Sequence, residues 1–216
     1  MGVDVQDAIH VGQKLGGSGL PPLARNSRPP NVALSERPER SETGVWIGIF
    51  AIVMTFAALT SAMIVREGVA LDWRHFQLPK ILYLDTLILL ASSWTLETAL
   101  AKMKESEKQF SAGMAWLDLT LALGGIFVVG QVLAWRVLAG EGLFLATNPS
   151  SSFFYVFTAA HALHLIGGML GLGYLIYKLS RTRSAAKTTG VRATCLYWHF
   201  MDGLWLYLFV LLLARM

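Results

Sequence analysis

Charge is scarce in this sequence. Asp, Glu, Lys and Arg make up 15% of its 216 residues, against about 25% in an ordinary soluble domain. With 54% apolar residues and a mean hydropathy of +0.51, the chain falls outside the soluble globular class and reads as integral membrane. Cysteine is nearly absent: Cys195 stands alone, which excludes a disulfide framework and every Cys-rich metal or iron–sulfur site. No short apolar core with a small-residue cleavage site precedes Gly44, so no signal peptide is expected. No internal repeat is visible, as an inverted-repeat transporter would require. The pI near 9.3 does not point to nucleic acid, because the basic residues fall in short loops between apolar runs rather than on one soluble face.

What remains is apolar length. Residues 1–43 hold Gly16-Gly17, Pro21-Pro22 and Pro29-Pro30 with no apolar run, so they are expected to form a mobile tail. Residues 44–216 hold five windows near the roughly 20 residues a bilayer requires, at 45–65, 81–100, 114–135, 153–177 and 193–214. The expected fold is an all-α integral membrane bundle of five transmembrane helices. Thirteen Lys and Arg lie in the tail and in the loops after the second and fourth windows, against five on the opposite side. The positive-inside rule then predicts a cytoplasmic N-terminus and an external C-terminus.

Within those windows a few polar side chains are out of place, and intramembrane ionisable groups are functional candidates by default. The second window carries Asp85, roughly 9 Å inside its outer end at about 1.5 Å per residue; it must pair, hydrogen-bond or stay protonated. The third carries Gly124-Gly125 and Gln131, a residue that commonly hydrogen-bonds between helices. On the fourth, Phe157, His161, His164, Gly168 and Gly171 share one stripe, and Lys178 and Arg181 stand at the cytoplasmic end, where long basic side chains reach lipid phosphates. On the fifth, His199 and Asp202 are three residues apart and share a face. Imidazole is the usual axial haem or copper ligand, yet His161 and His164 at i and i+3 cannot take opposite axial positions. A structural role for His161, His164, His199, Asp202, Asp85 and Gln131, through hydrogen bonds between helices, is weighed above ligation, with no catalytic residue and no metal in this chain.

The stretch Tyr197-Trp198-His199-Phe200-Met201-Asp202-Gly203-Leu204-Trp205 resembles the closing signature of cytochrome c oxidase subunit III. Three other segments are similar to that family in matching order. They are Gly44 to Phe56, Leu78-Pro79 to Ser92-Ser93 with Asp85 in place of an asparagine, and Ser151 to Gly168 with its two histidines, and the family has Gln at the place of Gln131. The resemblance covers roughly residues 44–214 and matches the family's shorter five-helix members. It departs where the family's first matched helix carries a glutamate and this chain has Ile52, and where many members continue with Glu-Tyr and this chain has Ala134-Trp135. The resemblance implies a non-redox subunit of a respiratory haem-copper oxidase in a bacterial-type plasma membrane. Its partners would be catalytic subunit I, subunit II and membrane lipids in a hetero-oligomer, with haem and copper in the partner subunits and phospholipid bound to this chain. The alternatives are a quinol oxidase subunit III, a free-standing haem b anchor and a small transporter.

Overall fold

A computed structural model describes residues 40–69, 73, 76–105, 109–182 and 188–215. The expected tail, His10 included, lies outside the described residues up to position 39. Among the described residues five helices follow one another: α1 (Arg40–Val69), α2 (Ile81–Glu105), α3 (Phe110–Gly140), α4 (Pro149–Thr182) and α5 (Thr188–Arg215). No strand occurs among the described residues. Every expected window lies inside one helix, and the helices overrun the windows by up to five residues at an end. Hydropathy stops at the apolar boundary, whereas i→i−4 hydrogen bonding continues into the interface.

Among the described residues four helices are long and apolar enough to cross a membrane: Thr43–Val69, Phe110–Gly140, Pro149–Arg181 and Val191–Arg215. The exception is α2. At 25 residues it is about 38 Å long, enough to span, but Asp85, Thr86, Ser92, Ser93, Thr95 and Glu97 lower its hydropathy. Most of them are turned inward: Asp85, Thr86, Ser92 and Thr95 are buried.

Short connections make successive helices antiparallel neighbours. α2 packs most extensively on α3, and contacts of α3 with α4, α4 with α5 and α5 with α2 close a ring, against which α1 lies on α4 and α5. The turn between α3 and α4 is locally encoded. Gly142 takes φ +78°, and the following Leu143 N–H donates to Leu138 O at 3.0 Å, the glycine-terminated C-cap that satisfies an orphan carbonyl. Asn148 then caps α4, its Oδ1 accepting from Ser151 N–H at 2.9 Å, with Pro149 at the first helical position.

The interior is aromatic. Trp198, Trp205, Phe56, Phe127, Phe154 and Phe157 are all fully buried, and the edge of Trp205 meets Phe127 at 4.9 Å between centroids, a favoured quadrupole arrangement. The outer surface is apolar as well: Phe50, Leu163 and Leu170 are 67–71% exposed. Large apolar groups this exposed on several helices belong against hydrocarbon rather than water.

Candidate functional site

The polar residues of α5 converge on α2. Trp205 Nε1–H donates to Thr86 Oγ1 at 3.0 Å and Trp198 Nε1–H to Ser92 Oγ at 3.0 Å. Next to the second of these, Ser93 on α2 donates its hydroxyl proton to Asp202 Oδ2 and shares a hydrogen bond with His199 Nδ1 at 2.8 Å. The other ring nitrogen, Nε2, lies 2.7 Å from Glu97 Oε1. The result is a chain, Glu97–His199–Ser93–Asp202. Its outer end is open, since the His199 and Glu97 side chains keep 39% and 57% of their surface exposed, whereas Asp202 is 5% exposed. The sequence places His199 and Asp202 on one face, and the structure brings them together through Ser93 rather than through each other. Ser93 and Glu97 were not among the expected site residues. Their spacing of four on α2 is a signal that becomes readable only once α5 is known to be the neighbour.

A second polar contact ties α2 to α3. Gln131 Nε2 donates to Asp85 Oδ2 at 3.0 Å, and both side chains are buried. The Asp85 carboxyl group reaches that position because residue 130 is glycine. A Cβ there would stand 1.9 Å from Asp85 Oδ1 and 2.5 Å from its Cγ, so the absent side chain of Gly130 is the seat of the carboxyl group. Thr95 and Thr120 add a hydroxyl pair at 2.8 Å across the same two helices.

His161 and His164 are held differently. His161 is fully buried, 5.0 Å from the Trp205 ring centroid and 5.8 Å from that of Phe127. Neither of its nitrogens has a hydrogen-bond partner among the described residues. His164 Nδ1 lies 2.7 Å from Ala160 O on its own helix, and its ring tilts against Phe56 at 6.0 Å. Tyr197 on α5 donates its hydroxyl to His164 O at 2.9 Å. Its ring fills the place beside Gly168, where a Cβ would stand 2.7 Å from Tyr197 Cε1. The three expected intramembrane histidines therefore split: His161 and His164 on α4 face aromatic rings and backbone, and His199 faces α2. Among the described residues no three His, Cys, Asp or Glu side chains gather as a metal ion would need. At the far end of α4, Lys178 and Arg181 are exposed, with the Arg181 guanidinium 5.5 Å above the Tyr177 ring, a cation–π geometry.

Five helices, apolar outer faces and polar groups spent on helix-to-helix bonds define a multi-pass α-helical membrane protein. Comparison with known proteins narrows the class. The family model for cytochrome c oxidase subunit III matches residues 39–214. Cytochrome c oxidase subunit 3 of Thermostichus vulcanus is 31% identical over 82% of this chain and 88% of that protein. The subunit 3 of Corynebacterium diphtheriae is 27% identical over 84% and 91%. Subunit 3 of the cytochrome bo(3) ubiquinol oxidase of Pseudomonas putida is 27% identical over 77% and 81%. The chain belongs to the cytochrome c oxidase subunit III family.

Proposed function

We propose that this chain is the non-redox subunit III of a respiratory haem-copper oxidase in a bacterial plasma membrane. It packs against a catalytic subunit I, with subunit II in the same complex, and has its N-terminus in the cytoplasm. The observation that carries this reading is the match that runs through the whole helical bundle, residues 39–214, and spans most of the relatives' own length. The geometry supports it. His161 and His164 lie on one helix at a spacing unsuited to opposite axial positions, and His199 is engaged by Ser93 and Glu97. Haem and copper then belong to the partner subunits, which reduce dioxygen to water while moving protons. What this chain contributes is stability and lipid. The exposed Lys178 and Arg181 at the cytoplasmic end of α4 fit phospholipid phosphates. The exposed flank of Gly167 and Gly171, each with nothing within 4 Å of the point a Cβ would occupy, offers acyl chains a smooth surface.

Native mass spectrometry of the complex purified from membranes tests this directly. It is expected to find this chain with a large haem-bearing subunit; recovery without any haem-copper subunit would overturn the reading. A quinol oxidase is the second reading, favoured by the similarity to the bo(3) subunit 3. Copper bound in the co-purifying subunit II would decide for cytochrome c as the donor.

A further inference from the structure

The chain Glu97–His199–Ser93–Asp202 contains three consecutive hydrogen bonds, and each needs one proton. The Ser93 hydroxyl supplies one and a neutral imidazole supplies a second. Ionised Glu97 and Asp202 supply none. The third proton must therefore be a titratable one, held by Glu97, by His199 as imidazolium or by Asp202. Without it, one of the three contacts would set two acceptors against each other, at 2.8 Å or less. We infer that Glu97, His199, Ser93 and Asp202 form a relay that stores one exchangeable proton and passes it between the exposed edge of the α2–α5 seam and its buried side.

The transfer balances atom by atom. With the proton at the exposed end, the imidazolium donates through Nε2 to Glu97 and through Nδ1 to Ser93, whose own hydroxyl donates to Asp202 Oδ2. Moving the Nδ1 proton to Ser93 Oγ while the Ser93 proton moves to Asp202 reverses two bonds and breaks none. Asp202 is now the acid, His199 is neutral, and Nε2–H still donates to the Glu97 carboxylate. At the other end of the relay the Glu97 side chain is more than half exposed. At the buried end the transferred proton rests on Asp202 Oδ2 against Ser93, while Asp202 Oδ1 is enclosed without a hydrogen-bond partner among the described residues.

Few titratable groups surround the relay. α1 carries none from Thr43 to Val65, and α3 carries one acidic residue, Asp118, which is exposed. On α2, Asp85 is engaged by Gln131, and Lys102 and Lys104 lie beyond Glu97 towards the helix end. On α5, Arg192 and Cys195 precede His199. On α4, His161 and His164 lie on the side of α5 that carries Trp205 and Tyr197, and Lys178 and Arg181 stand near that helix's C-terminal end. Where the proton goes next rests on the oxidase reading; holding it is a property of this chain.

The test uses the full chain in phospholipid nanodiscs, labelled with nitrogen-15 in its histidines and carbon-13 in its carboxyl groups, with signals assigned from single-site variants. His199 ring nitrogens and the Asp202 carboxyl carbon are expected to shift together through one midpoint as pH changes. Ser93→Ala should separate their midpoints at least tenfold in proton concentration, and Ser93→Thr, which keeps the hydroxyl, should rejoin them. Glu97→Gln supplies both a donor and an acceptor to His199, so the third proton is no longer required and the shared midpoint should move. Independent midpoints in the unaltered chain, or a shared midpoint that survives Ser93→Ala, would overturn the relay. Should Ser93→Ala fail to fold, the exposed Glu97→Gln decides by itself: a shared midpoint that stays where it is in the unaltered chain refutes the proposal. Native mass spectrometry remains separate. A chain with the shared transition but no oxidase partner keeps the relay and loses the oxidase reading, and the reverse result does the opposite.

Discussion

Replacing Gly130 by alanine brings the new Cβ nearer to its neighbours than at any other described glycine of the bundle. The new Cβ would lie 1.9 Å from Asp85 Oδ1 and 2.5 Å from its Cγ and Oδ2, and real Cβ contacts essentially never fall under 3.0 Å. The carboxyl group must retreat by about 1 Å or more, and it cannot do so while accepting from Gln131 Nε2 at 3.0 Å. Overpacking of this kind costs roughly 1–3 kcal/mol, and losing an interhelical hydrogen bond in a membrane adds about 0.6 kcal/mol on average and about 1.7 kcal/mol at most. The expected loss is on the order of 2–4 kcal/mol, a large share of a typical stability of about 5–15 kcal/mol. Gly167→Ala and Gly171→Ala serve as controls, since nothing lies within 4 Å of either position and helix propensity alone favours alanine by about 1 kcal/mol. Denaturant titration in detergent micelles reads the three variants. Asp85→Ala combined with Gly130→Ala should recover part of the loss by vacating the contested space, whereas Asp85→Asn, of equal volume, should not. A Gly130→Ala chain as stable as the two controls would refute the seating of the carboxyl group against the α3 backbone.

Three further outcomes follow from other contacts. His161→Phe should leave stability unchanged or raise it by about 1–3 kcal/mol, because it removes a buried polar ring without hydrogen-bond partners among the described residues between Phe127 and Trp205; a loss of stability in the denaturant titration would instead give the imidazole a hydrogen bond inside the bundle. Gly168→Ala should cost about 1–3 kcal/mol through its collision with Tyr197, and Tyr197→Ala in the same chain should relieve it, as a double-mutant cycle would measure. The purified chain should be colourless, and a Soret band or stoichiometric copper in it would return the histidines to ligand duty.

The number and order of helices were legible because a bilayer demands length, and four of the five apolar windows supply it without interruption. The helix ends were not, since α4 continues to Thr182 while its apolar window closes at residue 177. The inward turn of Asp85 and its pairing with Gln131 were half legible. Each residue is conspicuous in an apolar run, but nothing in one sequence says that position 130 must be glycine so that the two can meet. His161 shows the opposite difficulty. A histidine in such a window is expected to find a hydrogen-bond partner, yet it is enclosed by rings, a placement that depends on Trp205 of another helix.

The polarity of α2 is what makes the bundle specific. Lipid drives helices out of water without telling them which neighbour to choose, and bare apolar faces would allow α2 to slide or rotate against α3 and α5. Its hydroxyls and acids remove that freedom, because each satisfied bond fixes a rotation and a height: Thr86 with Trp205, Ser92 with Trp198, Ser93 with Asp202, Asp85 with Gln131, Thr95 with Thr120. Such bonds average only about 0.6 kcal/mol each in membranes. Their larger effect is the penalty on wrong registers, in which several of these groups would be stranded in hydrocarbon at several kcal/mol apiece. A slip of α2 by one residue turns Asp85 about 100° away from Gly130, and it takes Ser93 away from His199 and Asp202 in the same movement. The relay between Glu97 and Asp202 and the seat of Asp85 are thus set by one register, so a change that frees α2 at its outer half should also disconnect the proton path at its inner half.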